Sequence, residues 1–254
     1  MRFWYPNLID VSGVGITSTS AATGAPVSNV ANELKTRVWR TGTSTAAESV
    51  TFDLGSSKAC TAVILFAHTL LNTDSTIQLR KSTDNFAAND VLVTALTWAS
   101  GAISATFASA SSRYWRVVFT KASSGVTRDI GRIFMGIYTD TTEQPDQGSF
   151  KIKPVDRSTS SKSVGGQTYT DKRSSYRGFQ MKFGMVSTTF KDAITALYNS
   201  VQTHTSFFAQ VDTAGTTEVG EIVYVKLGNE IEADDSGADS DVLWNVKLEL
   251  EEQL

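Results

Sequence analysis

The sequence has very few of the residues on which catalytic and metal sites are usually built. Cys60 is the only cysteine, which excludes an internal disulfide and a cysteine-based metal cluster and leaves a buried, inert thiol as the expected role. The two histidines, His68 and His204, are far apart, and no zinc-protease, nucleophile-elbow, phosphate-loop or dinucleotide-binding motif is present. We therefore expect a protein that is not an enzyme and that needs no cofactor and no metal.

Long hydrophobic runs and charged residues are also scarce. The longest apolar run, 62–67, is far shorter than the ~20 residues of a membrane-spanning helix. The net charge of -3 argues against a nucleic-acid-binding protein. The apolar N-terminal stretch is interrupted by Pro6 and is too short for a signal-peptide core, so we expect a soluble protein made in the cytoplasm.

The residues that are abundant favour β-structure. Charged residues make up 19% of the chain, and Ser, Thr, Ala and Gly fill the difference, which is typical of β-proteins with many turns. The densest group of aromatic and β-branched residues, 113–120, predicts a strand. Alternation places Trp115, Val117 and Phe119 on one face and Tyr114, Arg116, Val118 and Thr120 on the other. Bulk on both faces is typical of a central strand in a β-sandwich.

Short strands follow one another through the first half of the chain with almost no helix between them. This pattern predicts a sandwich or jelly roll. A polar stretch, 139–148, then marks the best domain boundary. We predict a jelly roll at 1–140, a linker at 141–148 and a second domain at 149–254. The strands predicted in the first domain are 50–54, 60–67, 76–80, 91–98, 103–107, 113–120 and 129–138.

The second domain is predicted to be a β-sandwich or barrel with one packed helix. The helix begins with Ser187 or Thr188 as its cap and ends near Thr203, because apolar residues recur at helical spacing. Before it, 157–171 is expected to be a long loop or hairpin, and 176–185 alternates as a half-buried strand. Further strands are predicted at 207–211, 218–227 and 242–250.

Charge is unevenly distributed in this second domain. Residues 151–182 carry eight basic and two acidic residues, whereas 230–252 carry nine acidic residues and one basic residue. These stretches are either two solvated faces or the two sides of a contact between identical subunits that closes a ring. The acidic loop 229–241 has oxygen donors at close spacing but does not match an EF-hand, so a solvated or interface loop is favoured over a calcium site.

Several motifs in the first domain, taken together in order, resemble a known family. Arg113-Tyr114-Trp115-Arg116 and 130–136 are the main ones, preceded by the motifs at 37–40, 50–55 and 65–70. This set is similar to tailed-bacteriophage and prophage virion proteins whose N-terminal half is a galactose-binding-like (discoidin-type) jelly roll. The turn after His68 carries Thr69 where that family usually has Asn.

The second half resembles the tail-tube-like fold of tube, distal tail and baseplate hub proteins. The Gly165-Gly166 loop, the strand at 177–179, the helix at 190–201 and the last strand at 244–250 carry this likeness. The resemblance implies a structural component of a phage tail, namely a distal tail or baseplate (tail-tip) ring protein. It further implies a homo-oligomeric ring, hexameric in most proteins of that kind, built by β-pairing between subunits. Its partners would be other tail and baseplate proteins, and its location the virion tail, after assembly in the host bacterial cytoplasm.

Two alternatives belong to other classes. In the first, the jelly roll is a carbohydrate-binding adhesin that holds a host surface glycan through Trp39, Arg40 and His68; against this, a tryptophan in a β-domain is usually a core residue. In the second, the chain is a glycosidase, which would need a pair of carboxylates. Asp53 with Asp84 or Asp90 is the only nearby pair in the first domain.

Overall fold

A computed structural model describes residues 1–141, 143–210, 221–229, 231–235 and 243–253. The chain divides into two compact units. The first unit contains Arg2–Thr139, and the second contains the described residues of Asp140–Thr213 and Val223–Leu254.

The first unit is built almost entirely from antiparallel strands. Two short 3₁₀ turns, Leu8–Asp10 and Val27–Ala31, interrupt them. The strands are hydrogen-bonded in the order β6-β5-β7-β4-β8-β1, with β2 added to β4 and β3 added to β8. Their bounds are β1 Arg2–Asn7, β2 Gly15–Ser18, β3 Trp39–Arg40, β4 Ala47–His68, β5 Ser75–Ser82, β6 Val91–Ala95, β7 Ile103–Thr120 and β8 Asp129–Asp140.

Two long strands, β4 and β7, connect the layers of this sandwich. The first half of β4 pairs with the end of β7, and its second half pairs with the start of β7 and with β8. The predicted strands 50–54 and 60–67 are therefore one strand, as are 103–107 and 113–120. Gly55 bends β4 rather than ending it, because its positive φ of 74° turns the backbone where the pairing register shifts between Asp53 and Lys58.

The alternation predicted for 113–120 is confirmed. Trp115, Val117 and Phe119 are fully buried, whereas the residues between them are partly exposed. β7 lies between β5 and β4, so it is a central strand of its sheet, as the sequence predicts. The expectation of a mainly β chain with a jelly-roll sandwich is likewise confirmed.

The second unit contains a smaller antiparallel sheet, a separate hairpin and one helix. The sheet has the order β13-β14-β16-β12-β9, with β15 added to β16, and β10 pairs with β11 alone. The bounds are β9 Lys151–Val155, β10 Thr159–Lys162, β11 Thr168–Asp171, β12 Tyr176–Val186, α1 Thr188–Val201, β13 Phe207–Gln210, β14 Val223–Leu227, β15 Glu232–Asp235 and β16 Trp244–Glu252.

The helix α1 forms as predicted. The Ser187 side chain accepts a hydrogen bond from the Phe190 amide and so caps the first turn. Its buried face is Phe190, Ile194, Leu197 and Val201, the residues that recur at helical spacing. No helix among the described residues is long and apolar enough to cross a membrane.

A bulge in β12 reverses one predicted face. Alternation predicts that Met185 is buried with Phe183, but Met185 is 70% exposed and Val186 is buried in its place. The register with β16 shifts between Phe183 and Val186, and Met185 has a positive φ of 54°. One inserted residue moves every later side chain to the opposite face.

Two segments predicted as irregular are held against the sheet. Asp146, in the predicted linker 141–148, donates its amide to the Lys182 carbonyl and accepts the Gly184 amide, so this end of the linker belongs to the second unit. Part of the acidic loop 229–241 is instead strand β15, in which Glu232 faces Lys247 of β16. Residues 230 and 236–241 of this loop, and with them most of the alternative calcium site, lie outside the described residues.

Candidate functional site

Three loops of the first unit meet beside the ends of β4 and β7, and we call 41–46, 69–74 and 121–128 the loop cluster. The amide of Thr41 donates to the Arg128 carbonyl, and the amide of Lys121 donates to the Ala46 carbonyl. The Asp74 side chain accepts the amide of Ala122. Backbone groups of all three loops are therefore satisfied by one another, which fixes the loops on the sandwich.

A fully buried ion pair supports this cluster. The Nζ of Lys121 lies 2.9 Å from Oε1 of Glu48, and both side chains have 0% exposure. Lys121 also donates to the Gly42 carbonyl, and the hydroxyls of Thr19 and Ser20 each donate to Glu48 at 2.7 Å. Burial opposes ionisation of Glu48, but these hydrogen bonds and the lysine charge hold its pKa below the ordinary value.

A second buried pair links two loops of the cluster. Arg128 donates from Nε and Nη2 to both carboxylate oxygens of Asp74, at 2.6 and 3.0 Å. The amides of Leu71 and Ala122 also donate to this carboxylate. Burial raises the pKa of Asp74, and Arg128 with these amides outweighs it, so the net pKa lies below the ordinary value. Both carboxylates are thus ionised and fully bonded within the protein.

Of the three residues predicted to touch a glycan, Trp39 is a core residue. It is 0% exposed, its indole nitrogen donates to the Ser20 carbonyl, and its ring meets Phe119 edge-on at 6.1 Å. A fully buried ring offers no surface on which a sugar can stack, so the ligand hypothesis for Trp39 is corrected. Trp115 is buried as well, and Trp98 is half-buried with its nitrogen on the Leu70 carbonyl.

Arg40 and His68 lie on either side of the start of β8. Arg40 pairs with Asp129, donating to both of its carboxylate oxygens at 2.7 and 2.8 Å, and remains half-exposed. His68 pairs in register with Ile130. Burial lowers the pKa of His68, although the backbone of Ala99 and Gly101 favours its protonated form. Their contact with a glycan stays a prediction.

A groove on the outer face of β4, β5 and β7 brings together polar side chains that the sequence did not predict to lie side by side, and we call it the arginine groove. It has a volume of about 320 Å³. Its lining residues are Thr19, Ala47, Glu48, Ser49, Gln78, Arg80, Asp90, Arg116 and Val118.

Strand pairing explains why these residues converge. Gln78 and Arg80 of β5 lie opposite Val118 and Arg116 of β7, and Ser49 of β4 lies opposite Val118 from the other side. The same alternation that buries the core residues of β7 turns Arg116 and Val118 outward. Alternation in the sequence therefore predicts that Arg116 and Val118 face outward. It does not predict that β4 and β5 lie beside β7 and bring their polar side chains next to these two residues.

Two arginines, Arg80 and Arg116, are the cationic side chains that line the groove. Arg80 is oriented by Asp90, at 2.6 Å from Nε, and by Gln78, at 3.0 Å from Nη1. Arg116 donates from Nε to the Thr51 hydroxyl at 2.9 Å, and its guanidinium lies over the Phe86 ring, 3.8 Å from the centroid. Both side chains are thus held in place by protein contacts while lining open space.

The carboxylates considered for glycoside hydrolysis are separately engaged. Asp53 pairs with Arg113, Asp84 accepts the amides of Ala88 and Asn89, and Asp90 pairs with Arg80. Burial raises the pKa of the Cys60 thiol to about 12, as expected of an inert cysteine. Among the described residues, no group of three or more His, Cys, Asp or Glu side chains is placed to hold a metal ion.

The second unit contributes one exposed feature, the hairpin β10–β11. All eight strand residues are exposed, Tyr169 to 58%, and Val164 at the tip is fully exposed. The hairpin pairs with no other strand among the described residues. Part of the charge split predicted here is neutralised within the unit, because Arg177 pairs with Glu252 and Arg157 lies 3.9 Å from Glu251.

No protein-family model and no curated protein matches the sequence. Solved structures similar to the chain include carbohydrate-binding modules, each covering about half of it. The module CpGH89CBM32-5 of Clostridium perfringens, solved with GalNAc-β-1,3-galactose, is 15% identical over 52% of this chain and 100% of its own (TM-score 0.44). Chitosan-binding module 2 of a chitosanase/glucanase from Paenibacillus sp. IK-5, solved with chitotriose, is 18% identical over 52% and 100% (TM-score 0.43). The CBM32 module of AlyQ, solved with 4,5-unsaturated mannuronic acid, is 21% identical over 48% and 92% (TM-score 0.39). The comparison concerns fold and assigns no ligand and no site residue to this chain.

Proposed function

We propose that the two units carry two functions. The first unit binds carbohydrate in the arginine groove. The second unit assembles with copies of itself. The whole chain is a structural component of a bacteriophage tail.

The observation that supports carbohydrate binding is the set of fixed polar side chains in the arginine groove. Sugar hydroxyls both donate and accept hydrogen bonds, and the groove offers the guanidinium of Arg80, the carboxylate of Asp90, the amide of Gln78 and the hydroxyl of Ser49. Asp90 and Gln78 each already accept a hydrogen bond from Arg80, so binding would cost little side-chain entropy. The groove volume lies at the lower end of the roughly 300–1,000 Å³ of small-ligand sites, which suits a short saccharide.

We propose binding without hydrolysis. Most glycosidases place two carboxyl groups on opposite sides of the scissile bond. Asp90 is the partly exposed carboxylate that lines the groove, and the other lining carboxylate, Glu48, is buried in its pair with Lys121.

Filling the groove tests this function. Ser49→Trp places a large ring in the groove and keeps the Ser49 amide, which donates a hydrogen bond to the Thr19 hydroxyl. We expect it to weaken saccharide binding about tenfold or more, because the ring occupies the space that the ligand needs. Glycan-array screening followed by calorimetry measures the effect.

The matched control is Ser111→Trp, on an exposed part of β7 outside the groove. It should bind as the unchanged protein does. Equal binding by both tryptophan variants would contradict the groove as the site, and the absence of binding to any saccharide would contradict carbohydrate binding itself.

The observation that supports assembly is the isolated hairpin β10–β11. A two-stranded hairpin with no buried face is at best marginally stable in water. Its strand edges carry unpaired backbone groups, which are ready to pair with another chain. A second copy of the chain is the occupant that charge favours. The hairpin carries Lys162 and is followed by Lys172, whereas the added strand β15 presents the exposed carboxylates of Glu232 and Asp234.

The phage-tail part of the proposal is supported by the sequence motifs of both halves. In such an arrangement, the second unit would build a ring, hexameric in the tail-tube-like proteins that it resembles, at the distal tail or the baseplate. Other tail and baseplate proteins would be its partners, and a host surface glycan would be the ligand of the first unit.

Removing the hairpin tests assembly. Replacing 159–171 by a short Gly-Ser turn deletes no buried residue, since all are exposed except the partly exposed Ser163, so we expect the variant to fold. The full chain should form oligomers at low salt and high concentration, and the variant should remain monomeric, as measured by light scattering and by electron microscopy of negatively stained particles. Val164→Ser, which changes the tip without shortening the hairpin, is the control for chain length. A full chain that stays monomeric under all these conditions would contradict self-assembly.

A further inference from the structure

The arginine groove contains a guanidinium that forms no ion pair with a carboxylate in the part of the chain that the structure describes. Arg116 bonds to a hydroxyl and packs on an aromatic ring, and among the described residues it forms no ion pair. Five other arginines of the first unit each pair with an aspartate. These pairs are Arg40–Asp129, Arg80–Asp90, Arg113–Asp53, Arg128–Asp74 and Arg132–Asp10.

The charge balance of the groove is therefore positive. Asp90 pairs with Arg80, and the other lining carboxylate, Glu48, pairs with the buried Lys121. Arg116 is the charge that remains. It is partly buried, and burial, together with the nearby charge of Arg80, lowers its pKa, whereas Asp90 raises it. A half-buried cation interacts more strongly with an anion than a fully solvated one does.

The geometry of Arg116 selects the kind of anion. A guanidinium presents a planar fork that matches a carboxylate with two parallel hydrogen bonds. The Nε of Arg116 is engaged by Thr51 and one face is covered by Phe86, so rotation of the fork is restricted. A neutral sugar would use the polar groups around Arg116 but would leave its charge unbalanced.

We propose that the arginine groove binds an acidic saccharide, with the carboxylate of a uronic-acid residue held by Arg116 and neighbouring hydroxyls held by Arg80, Asp90 and Gln78. This inference rests on the proposed carbohydrate binding of the first unit and adds the class of ligand. The saccharide carboxylate would pair with Arg116 in the way that an aspartate of the protein pairs with each of the other arginines named above.

The experiment compares each uronic-acid oligosaccharide with its carboxyl-reduced counterpart, which has the same ring stereochemistry and no charge. Oligomers of galacturonate, glucuronate and mannuronate are titrated into the full chain by calorimetry. We expect at least one acidic oligomer to bind about tenfold or more tightly than its reduced form, the usual effect of a charge-assisted pair. The difference should shrink as salt is added, because the interaction is between charges near the surface.

Variants assign the effect to Arg116. Arg116→Gln should abolish the preference for the acidic form, and Arg116→Lys should retain part of it, because the charge remains but the planar fork is lost. Arg113→Gln is the matched control, since it removes the same charge from the same strand at a residue already paired with Asp53. It should keep the preference. Thermal unfolding of each variant checks that it is folded.

The possible failures are distinguishable. Equal binding of the acidic and reduced forms, or an acid preference that survives Arg116→Gln, would overturn the inference while leaving carbohydrate binding intact. Binding to no saccharide of either kind would overturn the proposed function of the first unit and the inference with it.

Discussion

Replacing Lys121 by methionine is expected to lower the free energy of unfolding of the first unit by about 3–5 kcal/mol. The substitution removes the cation that faces Glu48 at 2.9 Å, in a site where neither side chain is exposed. The hydroxyls of Thr19 and Ser20 still donate to Glu48, but they carry no compensating charge. The loss of unfolding free energy arises because a carboxylate is left buried without a cation. The intact ion pair itself contributes far less to the stability.

A double-mutant cycle separates these contributions. Lys121→Met combined with Glu48→Gln removes both charges and keeps an oxygen that accepts from the two hydroxyls. It should recover most of the lost stability. Arg113→Ala, which breaks a more exposed pair with Asp53 in the same unit, is the control and should change stability little.

Tryptophan fluorescence during chemical denaturation reports mainly on the first unit. Trp4, Trp39, Trp98 and Trp115 lie in that unit, and Trp244 alone lies in the second. A cost below about 1 kcal/mol for Lys121→Met, or a double variant no more stable than the single one, would show that Glu48 is solvated or protonated rather than buried as an ion.

Trp39→Ala is the second large effect, with an expected loss of about 3–5 kcal/mol of unfolding free energy. The indole is fully buried in the core of the first unit, so its removal leaves a cavity. It also removes the hydrogen bond to the Ser20 carbonyl and the edge contact with Phe119. Trp39→Phe should cost less, because a ring still fills part of the space. Chemical denaturation measures all three proteins.

Arg40→Ala, at the neighbouring position, is the control for Trp39. Arg40 is half-exposed, and its pair with Asp129 lies at the surface, so we expect little change in stability. The contrast also has a functional consequence. A loss of glycan binding in Trp39→Ala would report unfolding of the jelly roll, whereas a loss in Arg40→Ala with intact stability would support a ligand contact. Trp39→Ala that is as stable as the unchanged protein would show that the ring does not fill the core.

Features that depend on residues near in sequence were predictable. Alternation in 113–120 gave the buried face of β7 because strand geometry fixes successive side chains on opposite sides. The spacing of Phe190, Ile194, Leu197 and Val201, with Ser187 before them, gave both the buried face and the start of α1.

Features that depend on pairing between strands far apart in the sequence were not predictable. Whether Gly55 ends a strand or bends it is decided by the partner strand β7, which pairs on both sides of the bend. The bulge before Val186 is set by the register with β16, so alternation alone placed Met185 on the wrong face. The arginine groove needed the positions of β4, β5 and β7 side by side, because its residues come from strands far apart in the chain.

By itself, the sequence determined that this protein is mainly β, where its one predicted helix lies, and which residues of β7 face the core, since periodicity and capping act within a few residues. Tertiary structure decided that Trp39 is a core residue, that Lys121 and Glu48 form a buried pair, and that Arg116 faces a groove in which no described carboxylate forms an ion pair with it. Burial and charge pairing are properties of neighbours in space, and strand pairing brings those neighbours from distant parts of the chain.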